Sequence, residues 1–280
     1  MGVTVGLLAA LFFGSGDFLG GRASQHAPTR KVLLLSQASA GVGAIVLVLV
    51  IHGDPIGRDL AYGAAAGVAN GAGLGLLYRG LATGAMGVVA PVTAVVGAVV
   101  PVAWGIASGE RPGALVLAGI VVAVVAGGLV SREADADGRA GAVSSGLLLA
   151  VAAGAGLGAS FVLFAHTGER SGPWPVLAAR TTAVAGAAVV ALARRRSGGS
   201  RLSSVATRFA VGAGVCDVLA TTFLVLAIRR DLAVVVAPIA ALAPGFTVLW
   251  AWAMLREPLS RLQSAGLLLA LCGLAMIAGG

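Results

Sequence analysis

The triplet Ala90-Pro91-Val92 returns 147 positions later as Ala237-Pro238-Ile239. The same shift carries Gly109-Glu110 onto Arg256-Glu257, Gly67 onto Gly214, Asn70 onto Asp217 and Gly119 onto Gly266. Nearer the amino terminus the shift shortens. Gly6-Leu7-Leu8 matches Gly146-Leu147-Leu148, Gly14-Ser15-Gly16 matches Gly154-Ala155-Gly156, and Gln37 falls opposite Arg180. Small insertions in loops account for the difference, because loops tolerate them. The chain therefore reads as two copies of one unit, residues 1–131 and 142–280, joined by a linker at 132–141.

Composition says what kind of unit this is. Hydrophobic residues make up 58% of the chain and charged residues 11%, and the mean hydropathy is +0.99. A soluble domain carries roughly 25% charged residues. This chain has too few to cover a water-facing surface, so its surface faces lipid. A helix crosses the hydrocarbon core with about 20 apolar residues. Ten spans are expected: Val3–Leu19, Val32–Ile51, Leu60–Tyr78, Met86–Ile106, Ala114–Val130, Val143–Phe164, Val176–Ala193, Phe209–Ile228, Leu232–Met254 and Leu262–Ala278. These runs are long and do not alternate, which excludes barrel strands. The expected fold class is an all-α membrane protein with ten transmembrane helices. No connection is long enough for a soluble catalytic domain. No basic stretch precedes the first apolar run, so a cleavable signal peptide is not expected.

The net charge is +8. On a soluble domain that would suggest nucleic acid. Here the charges fall at span ends, where they orient helices and meet anionic headgroups. Nucleic acid is not an expected partner; the lipid bilayer is. Of 19 basic residues, thirteen lie in odd-numbered connections and five in even ones, with Arg180 inside the seventh span. The positive-inside rule then puts both termini outside. With 18 Arg to one Lys and much Ala, Gly and Val, the composition suggests a GC-rich bacterial genome, hence a bacterial inner membrane. Cys216 and Cys272 fall inside spans without metal-ligand spacing and are expected to fill core space.

Five spans per unit is an odd number. The second unit must enter the membrane from the opposite side, so the two repeats are inverted. A pseudo-twofold axis in the membrane plane suits alternating access, because inward-open and outward-open states become near equivalents. A receptor or scaffold gains nothing from it. The chain also resembles the ten-helix EamA-type branch of the drug/metabolite transporter superfamily, over its whole length. The residues that carry the resemblance are Phe13-Gly14-Ser15-Gly16-Asp17-Phe18, the two Ala-Pro pairs, Gly109–Pro112, Arg256–Leu259 and Arg180. The resemblance implies a central cavity lined by spans 1, 3, 4, 6, 8 and 9, and transport of small metabolites or drugs. It names no substrate.

Three ionisable residues lie within spans: Asp17, Arg180 and Asp217. Charge in hydrocarbon costs at least about 2.5–3.5 kcal/mol, so it persists where it is paired, hydrated or useful. Asp217 is a candidate for binding a cationic substrate or carrying a coupling proton; alternatively it bonds to neighbouring helices or to Arg180. Asn70 is its repeat partner, so both units put a polar group at one depth. Asp17 aligns with Leu157 and is a candidate for substrate contact or a gate, against a plain interfacial carboxylate or a pair with Arg22. Arg180 reads as a structural ion pair, or as a residue snorkelling to the interface. Thr93, Ser160 and Thr221 are candidate hydrogen-bonding groups of the pocket, although hydroxyls often satisfy their own helix. Gly63, Gly67, Gly71 and Gly75 recur every four residues and share one face. That face suits close packing, and Gly71 and Gly75 are candidates for a cavity wall. Pro91 and Pro238 free backbone carbonyls at equivalent points, and broken helices at such points mark a cavity or hinge. Trp104, Trp250 and Trp252 fall where aromatic belts form.

An enzyme is not expected. Gly14-Ser15-Gly16 lacks an intramembrane His as base, and His26, His52 and His166 lie at loops or helix ends. Neither a metal cluster nor a phosphate-binding loop is apparent, so no cofactor or metal is expected. The sequence points to a secondary transporter of a small molecule, with a proton as candidate coupling ion. The alternative is a non-transporting scaffold or regulatory subunit with a degenerate cavity. Oligomeric state stays open.

Overall fold

A computed structural model describes residues 2–82, 86–107, parts of 109–125, and residues 140–193, 202–228, 243–255 and 261–279. Among them the fold is all helical. The helices are α1 (Gly2–His26), α2 (Thr29–Val50), α3 (Gly57–Leu81), α4 (Met86–Ala107), α5 (Ala140–Ala165), α6 (Trp174–Ala193), α7 (Ser204–Ile228), α8 (Ala243–Leu255) and α9 (Arg261–Gly279). A single 3-10 turn, Glu169–Ser171, precedes α6. Five described helices are long and apolar enough to cross a membrane: α2, α3 and α6 throughout, and most of α5 and α7. The chain is a multi-pass integral membrane protein.

Punctuation follows local chemistry. Pro28 separates α1 from α2 with φ −56°, and a proline is tolerated there because the first amides of a helix have no acceptor within it. Ile51 turns extended and stops α2. Ser203 caps α7 by accepting the Ala206 amide at 3.1 Å. Several helices outrun their apolar cores. α1 continues through Gly20-Gly21-Arg22 to His26, so Asp17 lies well inside a helix rather than near its end. α5 begins at Ala140, within the expected linker. The first half of the expected ninth span, the fifth span's end, Glu110, Glu257 and Pro238 lie outside the described residues.

Hydrophobicity does not drive helix association in lipid, so close packing and hydrogen bonds must. Small residues supply the closeness here. α3 lies against both α5 and α6, α7 against both α1 and α2, α4 against α5, and α8 against α1. A Cβ at Gly67 would run into the Ala179 carbonyl and the Thr182 hydroxyl. A Cβ at Gly214 would run into the Ser36 carbonyl and the Ser39 hydroxyl. Each contact carries an interhelical hydrogen bond. Thr182 donates to the Ala64 carbonyl at 2.8 Å, and Ser39 donates to the Val211 carbonyl at 3.2 Å.

At one end of the bundle two loops interlock. Gly53 sits against Gly172, which has φ +51°, a conformation that favours glycine. The Asp54 amide donates to the Arg170 carbonyl at 2.8 Å. The Trp174 indole donates to the Gly53 carbonyl at 3.0 Å. Buried Asp59, in the first turn of α3, accepts the Gly168 amide at 2.9 Å and the Ser171 hydroxyl.

Two expectations change. Cys272 is exposed on α9 instead of filling a core. Trp250 is no free belt residue, since its indole donates to the Ser15 hydroxyl at 2.9 Å across the α1–α8 contact. Trp104 and Trp252 are exposed.

Candidate functional site

The described polar centre of the bundle is built on Arg180. It projects from α6 toward α7 and is 3% exposed, so it does not snorkel. Its terminal nitrogens grip Asp217 as a fork. One donates to Oδ2 at 2.5 Å and the other to Oδ1 at 3.2 Å. The second nitrogen also donates to the Thr221 hydroxyl at 2.6 Å. Thr221 lies one turn after Asp217 and donates to the Asp217 carbonyl at 2.8 Å. Planar two-point pairing makes arginine the suitable partner for a buried carboxylate.

Two more helices close the cluster. Gln37 of α2 is fully buried and bonds both charges at 3.3 Å. Its amide nitrogen donates to Asp217, and its carbonyl oxygen accepts from Arg180. Asn70 of α3 accepts from Arg180 at 3.5 Å. Among the described residues, the Nε of Arg180 is buried without a hydrogen-bond partner. The arrangement keeps the ion pair satisfied at all but that atom, as burial of a charge pair requires.

A second carboxylate lies close by. Asp17 of α1 is within electrostatic reach of Asp217. Among the described residues it makes no hydrogen bond and no ion pair. Arg22 is turned toward Gln25, at 2.5 Å. Tyr78 stands over Gly20, where a Cβ would strike its ring.

The structure thus brings Arg180, Asp217, Thr221 and Asn70 together and sets Asp17 beside them. Ser160 is fully buried but donates to the Leu157 carbonyl of its own helix at 2.6 Å. The Thr93 hydroxyl is buried with no partner among the described residues. Gly71 and Gly75 line a lateral groove between α2, α3 and α6, apart from the polar cluster. Pro91 lies within α4, but its side chain is outside the described residues, as is all of Pro238. Sequence reasoning missed Tyr78 and Asp59, and it noticed Gln37 only as the repeat partner of Arg180. Among the described residues, no three His, Cys, Asp or Glu side chains gather as metal ligands would.

Residues 144–279 match the EamA-like transporter family. No curated protein matches the sequence. Five chains of solved structures match the fold. One, described only as the crystal structure of a protein, superposes with a TM-score of 0.61 over 98% of this chain and 95% of its own, at 18% identity. At that identity the likeness concerns the fold alone.

Proposed function

We infer from the match over residues 144–279 that the chain belongs to the EamA-like transporter family. On that premise we propose that the whole chain is a secondary transporter, moving a small organic solute across a bacterial cell membrane by alternating access between two inverted five-span repeats, with both termini on one side. The observation that carries the proposal is the Arg180–Asp217 pair, held within the bundle by side chains from four helices. A protein needing only to span lipid has no reason to bear that desolvation cost.

The inverted repeat finds support in packing. Exchanging the halves turns the α3–α6 contact into α7–α2. The shifts that relate Gly67 to Gly214 and Gln37 to Arg180 also relate the Thr182–Ala64 bond to the Ser39–Val211 bond. The α1 contacts extend the match. Gly16 lies over Ala213, Cys216 and Asp217, while Gly156 of α5 lies over Ala69 and Gly73. The α5 position over Asn70 therefore comes one turn later than Gly156. This favours Ser160, rather than Leu157, as the counterpart of Asp17. Both halves then offer a polar side chain at that position.

On this reading the ion pair is the fixed wall of the site and Asp17 is the group that meets the solute. A cationic substrate or a coupling proton suits a carboxyl group at that place. The interlocked loops around Gly53 and Gly172 close one end of the path. Reconstitution into liposomes with a panel of metabolites tests the proposal. Solute flux that Asp17→Asn abolishes or uncouples from pH is the expected result. If no solute moves, and Asp17→Asn and Asp217→Asn leave every cellular phenotype unchanged, the scaffold reading replaces transport.

A further inference from the structure

The groove beside α3 is a consequence of its glycines. Gly63 and Gly67 touch the α6 backbone at Pro175 and Ala179. One turn on, Gly71 stands 3.3 Å from Ala183 as measured to a Cβ built there. Gly75 no longer meets α6 at all but faces Leu33 of α2. On the opposite wall Gly186 has nothing within 4 Å of such a Cβ. The two helices therefore part progressively toward the carboxyl end of α3. The wedge between them encloses about 570 Å³ and opens sideways. Exposed Val68 and Val190 flank it, so its mouth faces lipid. No residue of the Arg180 cluster lines it.

Its length and its chemistry both point to one occupant. From Gly67 to Arg79 the α3 wall runs about 18 Å at 1.5 Å per residue. That is close to one leaflet of a hydrocarbon core about 30 Å thick. The walls are mostly apolar, and the narrow end lies deep in the membrane. At the wide end stand two cations, Arg30 in the first turn of α2 and Arg79, exposed in the last turn of α3. An empty groove would forfeit dispersion contacts along its whole lining. Water gains few hydrogen bonds from these walls. An acyl chain fills them, and the lipid phosphate then arrives at the arginines.

We propose that this groove is the seat of an anionic phospholipid, with one acyl chain laid along Gly71, Gly75 and Gly186 and the headgroup phosphate between Arg30 and Arg79. Basic pockets between transmembrane helices recognise acidic headgroups in this way. The inference does not depend on the transport reading.

The test is native mass spectrometry of the full-length protein in detergent, titrated with phosphatidylglycerol or phosphatidylcholine carrying the same acyl chains. Phosphatidylglycerol is expected to bind more tightly. Arg30→Gln and Arg79→Gln should each weaken it about fivefold while leaving phosphatidylcholine unchanged. Gly186→Leu fills the open space and should weaken both lipids. Ala72→Leu, on the other wall, is a second filling variant should the first fail to fold. Equal retention of the two lipids, or undiminished phosphatidylglycerol binding in Arg79→Gln, overturns the proposal. So does a lipid-free dimer that Gly186→Leu dissociates, because a second copy of the chain would then be the occupant.

Discussion

A charge pair buried at 3% and 6% side-chain exposure is held by the loss that would follow from breaking it. Removing one partner strands the other, at a cost of about 3–5 kcal/mol. Arg180→Met or Asp217→Asn should lower stability by that amount in thermal unfolding in detergent. The double replacement Arg180→Met with Asp217→Leu should recover most of it, since apolar residues of similar size suit the site. Thr221→Val removes one hydrogen bond to a charged group and should cost about 1.5–3 kcal/mol. Asp17→Asn breaks no described hydrogen bond or ion pair and should stay within about 1 kcal/mol of the parent. A large stability loss in Asp17→Asn would mean a structural role. Arg180 and Asp217 were conspicuous in the sequence because charge interrupts apolar runs. Tyr78 was not. Beside Arg79 it reads as an interfacial tyrosine, and only the bare surface of Gly20 lets its ring in. Asp59 looked like the flank of a span, because its partners Gly168 and Ser171 lie in the other half of the chain.

At the scale of elements, the apolar runs located the helices but not their ends. α1 and α3 keep helical geometry through glycines and arginines that a hydropathy reading assigns to loops. The four-residue glycine period was legible, but its two uses were not. Gly63 and Gly67 serve contact with α6, whereas Gly75 and Gly186 line the groove where the two helices part. Substitution separates the two uses. Gly67→Ala forces α3 and α6 apart and should destabilise by about 1–3 kcal/mol. Gly186→Ala meets nothing and should be neutral, or stabilising by up to about 1 kcal/mol, from helix propensity alone. Unfolding midpoints of the two variants in one detergent check this. Equal effects would mean that both faces are packed alike.

Among the described helices the molecule is tied mainly across its halves, with helices of the first half clasped between those of the second. The Asp54–Arg170 ion pair is exposed on both sides, so it contributes little energy. Its place matters more, because it bridges the two loops that close one end. In a background with Cys216 and Cys272 replaced by alanine, Asp54→Cys with Arg170→Cys can be joined by a short reducible thiol cross-linker. Joining should stop solute flux, and reduction should restore it. Undiminished flux through the joined protein would rule these loops out as a gate. The same clasping bears on how the protein is made. In synthesis Arg180 precedes its partner Asp217 by 37 residues. At roughly 5–20 residues per second the wait is about 2–7 s. Of its described partners, only Gln37 and Asn70 already exist, and both lie in the earlier half. The amino-terminal half therefore supplies the first polar partners of the half that follows it.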